Sequence, residues 1–170
     1  MLYFAIVAAL TLGAVEQELV VDRTDTAVTV TGAHFAVTVD ASKGGEMTSI
    51  RMHDGAGWHE VLESTFPALR FHDGESEWKL ALDPRKGEIK QIQREDTAVR
   101  VHTYGVLRRE DGKGSPWGVD LRYEIHPEGA VFVDMECVLV QVPFALSEAT
   151  ASFTVRPEVA AFPKYHAEQV

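Results

Sequence analysis

Apolar and polar residues alternate with a period of two over three long runs, residues 98–107, 118–126 and 130–140, and this is the signature of half-buried β-strands. Successive strand side chains point to opposite faces. The first run therefore places Val99, Val101, Thr103 and Leu107 on one side, with Arg100, His102 and Tyr104 on the other. The second groups Val119, Leu121, Tyr123 and Ile125 against Asp120, Arg122, Glu124 and His126. The third groups Val131, Val133, Met135, Cys137 and Leu139 against Phe132, Asp134 and Glu136. Each run offers an apolar face to a core and a second face bearing carboxylates, cations and rings.

Shorter extended runs at 19–21, 27–31, 34–40, 47–52, 58–62, 68–72, 78–82, 88–93 and 149–155 are parted by turn-forming clusters such as Ala41-Ser42-Lys43-Gly44-Gly45 and Asp54-Gly55-Ala56-Gly57. Residues 108–117 read as the longest loop of the second half, and Pro127-Glu128-Gly129 as a tight turn. Strands thus recur at the spacing of about 8–12 residues expected of a sandwich. No stretch beyond the N-terminal run carries a 3.6-residue apolar stripe. The pattern predicts an all-β, antiparallel β-sandwich in one domain over residues 16–170, either whole or one module of a longer protein.

Residues 2–15 form an uncharged apolar run ending in small residues and followed by Glu16, Gln17 and Glu18. Its length of about 14 falls short of the ~20 needed to span a bilayer and suits the core of a secretory signal. Residues 1–15 are accordingly read as a signal peptide and the protein as secreted or periplasmic, with no stable membrane span. No Lys or Arg follows Met1, so the basic flank of such signals is missing, and the alternatives are a buried first strand or helix, or a start codon placed inside a longer signal. The formal net charge of −10 disfavours nucleic acid as a partner, because phosphates call for a basic patch. The one cysteine, Cys137, allows no intramolecular disulfide, and its place in the alternation makes it a core thiol.

The segment Ala33-His34-Phe35-Ala36-Val37-Thr38-Val39-Asp40, then Gly44-Gly45-Glu46-Met47-Thr48-Ser49-Ile50, then Asp54-Gly55, resembles the opening of galactose-mutarotase-like β-supersandwich domains. Such domains occur in polysaccharide lyases and as accessory domains of glycoside hydrolases. The paired strands about Pro127-Glu128-Gly129 are similar to theirs as well, so that the resemblance covers residues 18–155. It implies a supersandwich-like fold and a carbohydrate-related setting on fold analogy. The family's catalytic His pair and Glu are not carried over, because no Asn-His-Xaa-Tyr-Phe-Asn-like segment is present.

The polar face of the three long runs is the candidate site. Sugars are recognised by rings that meet their CH faces and by planar carboxylates and guanidinium groups that bind their hydroxyls. Trp117, Tyr104, Arg100, Arg122 and His126 are the candidate ligand-binding residues, Trp117 because it stands in an otherwise polar loop. Trp58 and Trp78 begin short strands and are expected in the core. For catalysis the candidates are His102 or His126 with Glu124 or Asp134 as acid–base partners. Asp134 and Glu136, two apart on one face, are separated by roughly 6.6 Å of strand rise, which glycosidase carboxylate pairs tolerate. The same residues also suit a solvated outer face held by cross-strand ion pairs of about 0.2–1 kcal/mol each. The seven histidines show no metal-binding spacing, so neither a metal nor another cofactor is expected. The functional expectation is a non-catalytic carbohydrate-binding or accessory module for a polysaccharide or oligosaccharide, attached to a catalytic domain or partner chain. The alternatives are a small epimerase or lyase, and a structural or protein-interaction sandwich without a ligand.

Overall fold

A computed structural model describes residues 2–7, 18–66, 68–72, 77–109, 114–139, 148–152 and 166–169. Among the described residues the strands are fourteen: β1 (Leu2–Val7), β2 (Val20–Arg23), β3 (Ala27–Thr31), β4 (Phe35–Asp40), β5 (Glu46–His53), β6 (Trp58–Glu60), β7 (Ala68–His72), β8 (Glu77–Leu82), β9 (Glu88–Arg94), β10 (Val99–Arg109), β11 (Gly114–Ile125), β12 (Val131–Leu139), β13 (Glu148–Ser152) and β14 (His166–Gln169). The one helical element among the described residues is a single 3-10 turn, Ala41–Lys43.

The strands form two antiparallel sheets. The smaller runs β2-β3-β4-β5-β6, a simple meander. The larger has the order β13-β7-β8-β10-β11-β12-β1-β14, with β9 also paired to β10. β10 is long enough to take two partners along one edge, Leu107–Arg109 meeting β8 and Val99–Tyr104 meeting β9. β8 and β9 therefore lie end to end, interrupted by the Asp83–Gly87 turn in which Asp83 Oδ1 accepts a hydrogen bond from the Arg85 backbone N–H at 3.1 Å.

The inner faces of the two sheets share one core. Val28, Val30, Val37, Val39, Met47 and Ile50 come from the smaller sheet, and Val99, Val101, Leu107, Val119, Leu121, Tyr123, Ile125, Val131, Val133 and Met135 from the larger. Strand parity thus puts inside the expected apolar residues of the first two long runs and Val131, Val133 and Met135 of the third, while the side chain of Leu139 lies outside the described residues. Cys137 sits half-buried beside this core, where burial pushes its thiol pKa up.

One polar contact joins the sheets at depth. The 3-10 turn ends on Gly44 in the left-handed region (φ 81°), and Gly45 follows at φ 88°, a backbone path that glycine takes without steric cost. This path turns the Gly45 carbonyl toward the larger sheet, where it accepts hydrogen bonds from the Thr103 hydroxyl at 2.8 Å and the Tyr123 hydroxyl at 3.0 Å. A Cβ on Gly45 would stand 2.7 Å from Thr103 Oγ1, so approach this close needs glycine. Both hydroxyls are buried and satisfied, and burial holds the Tyr123 phenol protonated by pushing its pKa up.

One expectation changes. Residues 114–117, assigned to a loop, open β11. Pro116 falls where the β10–β11 pairing shifts register between Arg108↔Gly114 and Val106↔Gly118, an irregularity that accommodates a residue with no N–H to give. Residues 2–7, the front of the apolar run read as a secretory signal, form β1, which pairs β12 on one side and β14 on the other. The rest of that run lies outside the described residues.

Candidate functional site

The outer face of β9 to β12 gathers the polar residues in registered rows. Gln93, Arg100, Glu124 and Phe132 face one another across four strands, as do Gln91, His102, Arg122 and Asp134 in the next row. The third row runs Glu88, Tyr104, Asp120 and Glu136. The register that buries Val101, Tyr123 and Val133 on one side fixes this arrangement on the other, since a slip of one residue would exchange the two faces.

The first two rows line an open groove of about 470 Å3, with Gln91, Gln93, Arg100, His102, Arg122, Glu124, Phe132 and Asp134 around it. This volume lies within the roughly 300–1,000 Å3 usual for ligand sites. Phe132 is 39% exposed and brings a ring to the groove, while Val138, further along the same face of β12, is exposed to the same degree. The His126 ring packs edge-on against it, with centroids 5.3 Å apart.

Most ionic groups on the face are tied to one another. Arg100 donates from Nε to Glu124 at 2.9 Å and from Nη1 to Glu95 at 2.6 Å. Arg122 donates to Asp134 at 2.9 Å and to Glu136 at 3.0 Å. His102 Nε2 meets Asp120 Oδ1 at 2.6 Å, and His126 Nε2 meets Glu124 Oε1 at 2.9 Å. The Arg100 hydrogen bond holds the Glu124 carboxyl below the usual range, His126 assisting. Paired carboxylates likewise push both guanidinium groups up, chiefly Glu124 for Arg100 and Glu136 for Arg122. Asp134 Oδ1 is buried and has no hydrogen-bond partner.

Of the residues singled out from the sequence, Arg100, His102, Arg122, Glu124 and Asp134 line the groove. His126 stands beside it against Phe132 and Glu124. Tyr104 lies one row away with its ring over Gly118, where an added Cβ would fall 2.3 Å from the phenol oxygen, and with Lys90 Nζ 5.4 Å from the ring centroid. Trp117 is parted from this group: its parity is that of Val119 and Leu121, and it packs half-buried against the core. Trp58, expected inside, is instead 44% exposed, with the Arg51 guanidinium 5.6 Å from its ring and His53 at 5.2 Å. The side chain of Trp78 lies outside the described residues. Among the described residues no cluster of His, Cys, Asp and Glu has the arrangement to hold a metal ion, and no helix is long and apolar enough to cross a membrane.

Gln91, Gln93 and Phe132 were not singled out from the sequence. Phe132 carried a usable signal, being the one ring at a polar-parity position of the third long run. The glutamines carried none, because the β9 alternation is broken where the pairing to β10 shifts register between Gln91↔His102 and Ile89↔Thr103. No protein-family model matches the chain, and no curated protein matches it.

Proposed function

We propose that the protein is a non-catalytic carbohydrate-binding module whose sugar-contacting surface is the groove across β9–β12, serving a catalytic domain or partner chain of an exported carbohydrate-active protein. The observation that carries this reading is the exposed Phe132 ring set in a groove among two amides, two guanidinium groups and two carboxylates. A pyranose presents an apolar CH face ringed by hydroxyls, and this combination meets both parts. The resemblance of residues 18–155 to galactose-mutarotase-like supersandwich domains supports the same setting on fold analogy.

A competing reading, an epimerase or lyase, is favoured by the common groove that His102, Glu124 and Asp134 line. Their electrostatics favour binding over catalysis. A general acid working near neutral pH needs a raised carboxyl pKa, whereas Glu124 is pulled down by Arg100 and Asp134 is paired with Arg122.

Affinity-gel electrophoresis over a panel of polysaccharides tests the proposal. Retardation of the wild type by at least one polysaccharide, with loss on Phe132→Ala, is expected. Absence of retardation across the panel, or retardation unchanged in Phe132→Ala, would contradict it. NMR of reducing sugars incubated with the protein reads the rival: catalysed exchange of epimers or anomers would establish an enzyme.

A further inference from the structure

Each arginine of the groove is flanked by two carboxylates, Arg100 by Glu95 and Glu124, and Arg122 by Asp134 and Glu136. Neither guanidinium therefore carries net positive charge to its surroundings, although each keeps N–H groups beyond the two it has committed. Further out the balance is more acidic. Asp120 is bound to His102, Glu128 lies 4.0 Å from His126, and Glu88 holds Lys90. The Asp134 carboxylate, whose Oδ1 is buried without a hydrogen-bond partner, adds negative charge beside the groove that repels a second anion.

Resting on the carbohydrate-binding reading, we infer that the groove takes an uncharged glycan, built of neutral hexose or pentose units, and excludes uronate-containing and sulfated polysaccharides. A neutral pyranose offers hydroxyl donors to Glu124 and Asp134 and accepts from the Gln91 and Gln93 amides and the remaining guanidinium N–H groups. Its apolar face lies against Phe132. A sugar carboxylate would need an arginine fork free of competing anions, as bidentate recognition requires. Both forks already face protein carboxylates, and the incoming charge would meet these at short range with little screening at low ionic strength.

The test is affinity-gel electrophoresis at low salt and near-neutral pH on matched neutral gels (a β-glucan, a xylan, a galactan) and acidic ones (polygalacturonate, a sulfated galactan), with wild type and Glu136→Gln. Glu136 holds Arg122 from outside the groove lining. Retardation on a neutral gel is expected, with roughly tenfold weaker retardation on the acidic counterparts, a ratio that corresponds to one like-charge contact. Glu136→Gln, by freeing one side of Arg122, is expected to narrow that ratio several-fold. Stronger retardation on an acidic gel than on its neutral counterpart would overturn the uncharged class and leave the carbohydrate reading standing. Equal ratios in wild type and Glu136→Gln would overturn the charge mechanism. Failure on every gel would bring down the carbohydrate reading and this inference together.

Discussion

Thr103 and Tyr123 converge on a single carbonyl, that of Gly45, and the energetics there are those of a shared acceptor. Losing one donor leaves the carbonyl satisfied by the other, whereas losing both strands it in the core. Tyr123→Phe and Thr103→Val are each expected to cost about 0.5–1.5 kcal/mol in urea unfolding. The double variant should cost more than the sum, because a buried acceptor is then unpaired. Glu124 behaves differently. The Arg100 hydrogen bond lowers its pKa, so the unfolded carboxyl binds protons that the folded one does not. The stabilisation is present above the unfolded value of about 4.5 and fades as pH falls through the lower folded value. Glu124→Gln should accordingly lose less stability than wild type on acidification, by about 0.2–1 kcal/mol as befits a partly exposed pair, read from urea midpoints at neutral and acid pH. Trp117 supplies a third case. With its ring against the core, Trp117→Ala is expected to lower Tm, the signature of lost packing, and to leave glycan retention of the folded fraction unchanged.

At the level of elements, parity in the long runs made β10, β11 and β12 and their two faces legible from sequence alone. One face had to be buried, and a period-two pattern admits a single register once that is so. The double glycine was legible too: Gly44 and Gly45 take the positive φ that their position in a turn implies. Gly45→Ala should therefore destabilise by about 1–3 kcal/mol, from backbone strain and from contact with Thr103, as thermal unfolding will show. What escaped the sequence had local causes. Gly114, Ser115 and Pro116 carry turn chemistry, yet a register shift absorbs them into β11, and this moved Trp117 from an imagined loop to the core side. β6 spans Trp58–Glu60, three residues, too few for alternation to declare a face, so Trp58 gave no sign that it would be exposed. The groove depends on β9 lying beside β10 and on the curvature of four strands together, and neither is encoded in any one segment.

On the scale of the whole molecule, two sheets enclose one core and leave the outer face of the larger sheet with its ionic groups tied in pairs. Residues 2–7 of the N-terminal run form β1, which fills the place between β12 and β14. Export with cleavage near residue 15 would remove β1 and leave β12 without that partner. Intact mass of protein recovered from the periplasm or medium of an expressing cell reads this directly. The export proposal predicts a chain shortened by the signal, and a full-length mass would contradict it. The central claim, that the β9–β12 groove is the ligand surface, is met most directly by backbone amide NMR during titration with a neutral oligosaccharide. Saturable shifts at Gln91, Gln93, Arg100, Arg122, Phe132 and Asp134 are predicted, while shifts gathered instead around Trp58 or Trp117, or none at all, would contradict it.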